Sequence, residues 1–352
     1  VDARMATVDI DDLEQQMEVL RHFKQTHVLR VAAADLSHAI PVMLVSDYLT
    51  DIAEVVLQRV LMLAWRQVSQ RYGVPLLGNG QPVDFGIVAY GKLGSLELGY
   101  SSDLDIVFLH DAVPSGTVTD GDKPVDAAVF FARLAQRIIH ILSTPTPGGI
   151  LYEVDTRLRP SGQSGLLTTS IDAFADYQFE RAWTWEHQAL VRARLVTGSE
   201  TLKQRFGDLR REVLAKSRDS AALRSEVRDM RERMRKELSA KSQSQFDLKQ
   251  DHGGIADIEF MVQYAVLAGA KNYSGLLRYT DNIRLLDELE RGGQLSAQQA
   301  GTLANAYRHY RGLVHRLALQ ERATIVPKED VQETAAAVAD VWEEVMEQRL
   351  NK

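Results

Sequence analysis

Between residues 85 and 155 the hydrophobic period of the chain changes, and that change limits the fold more than any other feature. Residues 85–90 (FGIVAY), 104–109 (LDIVFL) and 150–155 (ILYEVD) are short apolar runs of strand length. Between the second and third, Phe130, Phe131, Leu134, Ile138 and Ile141 recur at helical spacing. On both sides the chain reads as helix. Leu13, Met17 and Leu20, followed by Val28 and Val31, form one stripe. Leu49, Ile52, Val56, Val60 and Leu63 form a second, with Ser46 as its expected N-cap. A Gly/Pro/Asn stretch at 73–82 then breaks the pattern. After about residue 205 another helix carries Leu223, Val227, Met230 and Met234. Further helices are expected around 257–270, 281–291, 296–320 and 331–350, with Ser296 and Asp330 as caps. The expected class is α+β, mostly helical. A helical segment at 1–78 precedes a compact unit with a small mixed sheet at 79–204, and a helical bundle fills 205–352.

Composition narrows the chemistry. The 352 residues include no cysteine, which excludes disulfides, thiolate nucleophiles, iron–sulfur clusters and Cys-ligated zinc. The absence fits a reducing cytoplasm, the expected compartment. No apolar run reaches the roughly 18–20 residues of a membrane span. The net charge of −7 argues against a nucleic-acid partner held through its phosphates, but not against a nucleotide held through a metal. A start at Val1 reads as a mature product or an excised fragment.

The chemistry concentrates at 91–105, GKLGSLELGYSSDLD, which joins the first apolar run to the second. Gly94 and Ser95 form a turn at which a short helix is expected to begin with Leu96, and backbone N–H groups at such a turn can cradle phosphate. Asp103 and Asp105 lie two apart at the start of a strand, so both project from one face. Two like charges on one face invite a cation, and Mg²⁺ takes oxygen ligands while keeping phosphates in its shell. The run 152–162, YEVDTRLRPSG, supplies a third carboxylate, Asp155, at the end of the next strand. If that strand runs on, Arg157 and Arg159 share its face and suit phosphate charge.

A Gly-Ser turn, D-x-D and a later strand aspartate resemble the polymerase-β-type nucleotidyltransferases. Within them, GKLGSLELGYSSDLDIVFLHD and ILYEVDTRLRPSG look like the bifunctional glutamine synthetase adenylyltransferase/adenylyl-removing family. The stretches at 173–196, 246–260 and 281–290 extend the likeness over essentially the whole chain. The wording is closer to the adenylylating, C-terminal half of that duplicated family; Ser95 departs from the glycine expected there.

The resemblance implies a polymerase-β-like nucleotidyltransferase domain that moves AMP from ATP to a tyrosine of glutamine synthetase, releasing pyrophosphate. Asp103, Asp105 and Asp155 would hold Mg²⁺, with Mn²⁺ as the other option, and Asp155 would also help deprotonate the tyrosine. Gly94, Ser95, Lys92 and Lys249 would contact the nucleotide, and Arg157 and Arg159 would either meet phosphate charge or orient Asp155. The nitrogen-signalling protein PII and glutamine would regulate the reaction. Two other readings stand beside this one: phosphorolytic removal of AMP, and a catalytically silent module that binds PII or glutamine synthetase.

Simpler readings apply elsewhere. Residues 86–92 spell G-x-x-x-x-G-K, but Leu93 replaces the Ser/Thr that meets Mg²⁺ in a P-loop. Gly162 to Gly165 is no nucleophile elbow. His187 reads as a buried hydrogen-bonding residue. Arg224, Arg228, Arg231 and Arg235 read as a solvated helix face. Asp257 and Glu259 read as first-turn acids that suit a helix dipole.

Overall fold

The computed structural model describes residues 1–114, 116–146, 148–238 and 244–347. A single turn, α1 (Asp2–Met5), leads into two long helices, α2 (Leu13–Leu36) and α3 (Val42–Tyr72). Asp12 caps α2 by accepting from the Gln15 N–H. α3 begins earlier than the expected Ser46 cap, because Pro41, with no N–H to leave unsatisfied, takes the N-cap position. Ser46 is buried within the helix, and its hydroxyl accepts from Arg311 at 2.9 Å.

The middle unit follows as β1 (Phe85–Ala89), the single turn α4 (Gly91–Gly94), β2 (Leu104–His110), α5 (Ala127–Ser143), β3 (Val154–Asp155), β4 (Thr168–Ser170), α6 (Ile171–Glu180), α7 (Thr184–Val191) and β5 (Arg194–Thr197). The sheet order is β3-β2-β1-β5, with β4 also pairing β2. β1 runs antiparallel to β2 and β5, whereas β3 and β4 run parallel to β2.

β1 and β2 are apolar on both faces because each face has its own core. Ile87, Ala89, Ile106 and Phe108 pack with α2, α3 and α5. Val88, Tyr90, Val107 and Leu109 pack with the buried side chains of residues 171–346. This is the physical reason those runs lack a polar alternation. The segment 1–78 has no separate core: Leu49, Val56 and Val60 belong to the cluster that covers the sheet. The strand expected over 150–155 shrinks to two residues, since the N–H groups of Leu151 and Tyr152 both turn back to the Leu142 carbonyl at 3.0 Å.

Beyond β5 lie α8 (Glu200–Leu214), α9 (Ser220–Leu238), β6 (Gln245–Asp247), α10 (Ile255–Gly269), α11 (Asn282–Arg291), α12 (Ala297–Leu319), β7 (Ile325–Pro327) and α13 (Gln332–Trp342). β6 and β7 pair as an antiparallel ribbon. Ser296 caps α12 in a capping box with Gln299. Asp330 is not the cap of α13. It closes a 3₁₀ turn, and Val331 takes the cap position. The part of the last expected helix at 348–350 lies outside the described residues. Among the described residues, no helix is long and apolar enough to cross a membrane.

Candidate active site

β2 and β3 assemble the acidic centre. They pair in parallel with Leu104 beside Val154 and Asp105 beside Asp155. Asp103, two residues before Asp105, projects from the same face just ahead of β2. Carboxylate oxygens of Asp103, Asp105 and Asp155 all lie within 4.8 Å of one another. Asp103 is exposed and the other two are half-buried. Burial raises the Asp105 carboxyl to about 6, and the charges of Asp103 and Asp155 add to the rise, while Arg192 and Lys249 oppose it. A group so disfavoured as an anion, with two further carboxylates beside it, fits a divalent cation with oxygen ligands.

The glycine turn is shaped by close approach. Gly91 has φ +53°, and a Cβ there would stand 2.2 Å from Asp105 Oδ2. A Cβ on Gly94 would stand 2.0 Å from the Arg192 carbonyl oxygen. The helical turn ends at Ser95 rather than starting after it, and Leu96 adopts a left-handed φ of 59°. The N–H groups of Gly94 and Ser95 donate to Tyr90 and Gly91 carbonyls at 2.9 and 3.1 Å. The Ser95 hydroxyl, fully buried, donates to Glu97 at 2.8 Å and accepts from Arg192 at 2.7 Å. Both residues thus serve the turn itself in this structure.

The other named residues divide into two groups. Lys249 acts on the acids, and Lys92 lies within reach of Lys249 and Glu259. Burial brings Lys92 down to about 8, with the Arg311 and Lys249 charges adding to the fall and Glu259 opposing it. Lys249 is close enough to act electrostatically on both Asp105 and Lys92. Arg157 and Arg159 do not extend β3 along one face, because the chain turns after Asp155. The Arg157 backbone N–H and Nε donate to Asp155 at 2.7 and 2.6 Å and hold that carboxyl below the usual range. Arg159 donates to Thr156, Gln163 and Gly165 carbonyls, stapling its own loop.

Sequence reasoning missed the polar network beneath this site. Glu97 is fully buried and accepts from Arg192 at 2.6 Å and from the Asn282 N–H at 2.9 Å. Arg192 also pairs with Glu259 at 2.7 Å, so Glu259 does more than suit a helix dipole. Arg311 donates to the carbonyls of Glu97 and Leu98. The expected solvated face of α9 is also corrected. Arg231 is fully buried, and it and Arg235 both bind buried Asp257, whose carboxylate also accepts the Gly253 N–H at 2.7 Å. That set anchors the loop bearing Lys249, because Arg231 also donates to the Gln250 carbonyl at 2.7 Å. His187 is buried, its Nε2 3.0 Å from the Gln178 carbonyl.

The raised carboxyl gives a pH prediction. A carboxyl with its folded value above its unfolded value adds stability below about pH 4 that is lost as pH rises through about 6, here roughly 3 kcal/mol. Cation binding should return it. Mg²⁺ or Mn²⁺ is therefore expected to raise the melting temperature more at pH 7.5 than at pH 5. Equal shifts at the two pH values would contradict a cation held by Asp105.

Three carboxylates on paired strands beside a tight glycine turn, with cationic side chains facing them, define a nucleotidyltransferase-type domain, here joined to a helical region. The family described as glutamate-ammonia ligase adenylyltransferase matches residues 1–209. The chain belongs to that family. A second family, described as GlnD PII-uridylyltransferase, matches residues 221–349. Bifunctional glutamine synthetase adenylyltransferase/adenylyl-removing enzymes are its relatives. That of Methylococcus capsulatus is 53% identical over 96% of this chain and 36% of its own length. That of Pseudomonas aeruginosa is 52% identical over 97% and 36%, and that of Thioalkalivibrio sulfidiphilus 53% over 99% and 36%. The chain therefore spans little more than a third of these relatives.

Proposed function

We propose that this chain transfers AMP from ATP to a tyrosine hydroxyl of glutamine synthetase, releasing pyrophosphate. The observation that carries the proposal is the convergence of Asp103, Asp105 and Asp155 within 4.8 Å in a chain of this family. These three residues would hold Mg²⁺ or Mn²⁺, which when bound supplies positive charge against the triphosphate. Lys92 and Lys249, which lie within electrostatic reach of each other, would hold phosphate oxygens. The phenol oxygen attacks the α-phosphorus, and the bond to the pyrophosphate oxygen breaks. A phenol with a pKa of about 10 needs an acceptor for its proton at neutral pH, and Asp155 would be that acceptor. Its clamp by Arg157 must first loosen. The Arg157 side chain is 70% exposed, so it would exchange Asp155 for a phosphate oxygen at the surface.

The helical region supports a regulatory contact with PII through its match to a family whose name includes PII-uridylyltransferase. Glutamine remains the proposed effector, and the bacterial cytoplasm the proposed compartment.

The test is incubation with glutamine synthetase, Mg²⁺ and α-labelled ATP in the presence of glutamine. Label on the synthetase is the expected result. Loss of label from pre-modified synthetase on adding phosphate assigns the removal reaction instead. No change in either direction leaves a binding module and refutes both enzyme readings.

A further inference from the structure

On the helical side of the sheet, a hollow of about 550 Å³ lies between the last turns of α3 and the middle of α5. Three guanidinium groups line it, from Arg71, Arg133 and Arg137, beside Gln67, Tyr72 and His140. Arg133 and Arg137 are one turn apart on α5, where like charges repel. Arg71 and Arg133 both lie over the Tyr72 ring, 5.2 and 4.4 Å from its centroid. Arg137 donates from Nε to Gln67 Oε1 at 2.6 Å. No lining residue is acidic, and among the described residues none of the three arginines forms an ion pair. The buried arginines Arg192, Arg210 and Arg231 are paired or bound to carbonyls, whereas Arg133 and Arg137 are half-buried and Arg71 is exposed, so all three can reach a ligand from solvent.

Three unneutralised forks around one concavity match the geometry of phosphate oxygens. The size suits a small molecule. A free amino acid is a poor fit, because its ammonium group would find no carboxylate there. A nucleobase is a poor fit too, since the Tyr72 ring is already covered by guanidinium groups. We propose that this hollow is a second anion site, separate from the acidic triad, for a small polyvalent phosphate-bearing molecule. It does not depend on the catalytic reading.

Titration calorimetry of the full chain with inorganic pyrophosphate, in EDTA, tests it. Binding is expected in the parent chain and in Lys249→Gln, and weaker by about tenfold or more in Arg133→Gln/Arg137→Gln. Thermal melting checks that the double variant is folded. Arg71 is exposed, so Arg71→Gln provides a second measure and should also weaken binding. Undiminished binding in these variants overturns the proposal, as does absence of binding to the parent chain. Loss of binding in Lys249→Gln alone would place pyrophosphate at the triad and overturn it equally. Binding of a glutamate-rich peptide through these arginines, without pyrophosphate binding, would assign the hollow to an acidic protein partner instead.

Discussion

Asp105→Asn should lower AMP transfer by about 10³-fold or more and, at pH 7.5, raise the melting temperature of the metal-free chain. The first effect follows from removing a charged oxygen ligand at the centre of the triad; a factor of 10³ is about 4 kcal/mol of transition-state stabilisation. The second follows from the cause of its raised pKa. Asp105 is an unwelcome anion, buried and beside Asp103 and Asp155. An amide of the same shape relieves both penalties, worth up to about 3 kcal/mol. Loss of function with gain of stability is a signature that general misfolding does not give. Mg²⁺ should no longer raise the melting temperature of this variant as it does for the parent. Asp103 is exposed, so Asp103→Asn should lose transfer to a similar degree with little change in stability. Radiolabel transfer and scanning calorimetry measure the two effects. Full activity in either variant would refute the metal assignment.

The acidic centre was legible because its cause is local. D-x-D at a strand start places two carboxylates on one face whatever else the chain does, and a third strand acid has few other places to go. The helix stripes were legible for the same reason, since 3.6-residue periodicity needs no distant partner. The errors arise where a distant contact decides. Ser46 looks like a cap until Arg311, 265 residues away, is seen to need an acceptor. The arginines of α9 look solvated until Asp257 is folded beneath Arg231. Asp155, Arg157 and Arg159 look like one strand face, but a two-residue β3 cannot carry them. The short strands β4 to β7 have too few residues to show a period. Glu97 gives no signal at all: one acid between Leu96 and Leu98 reads as a surface residue, and its main partner lies 95 positions away.

That hidden residue carries the second large effect. Glu97→Ala should destabilise the chain by about 3–5 kcal/mol, a large share of the 5–15 kcal/mol typical of a folded domain. Glu97 is fully buried and is the shared acceptor for Arg192, Ser95 and the Asn282 backbone and side-chain amides. Removing it leaves a buried guanidinium with Glu259 as its remaining ion partner and strips the first turn of α11 of an acceptor. Glu97→Gln keeps the shape and most acceptors but loses the charge, so it should fall between the parent and Ala in urea denaturation. A change below about 1 kcal/mol for Glu97→Ala would show that the network is neutral in balance, as some buried ion pairs are. The consequence reaches the site because the same turn is held from outside by Arg194 and Thr280, which both donate to the Gly94 carbonyl. Gly91 in turn abuts the Asp105 carboxylate. With Glu97 lost, the turn keeps its glycines but not its anchor to α11. Residual folded Glu97→Ala should therefore lose transfer activity beyond its loss of folded fraction, whereas a purely structural role would scale the two together.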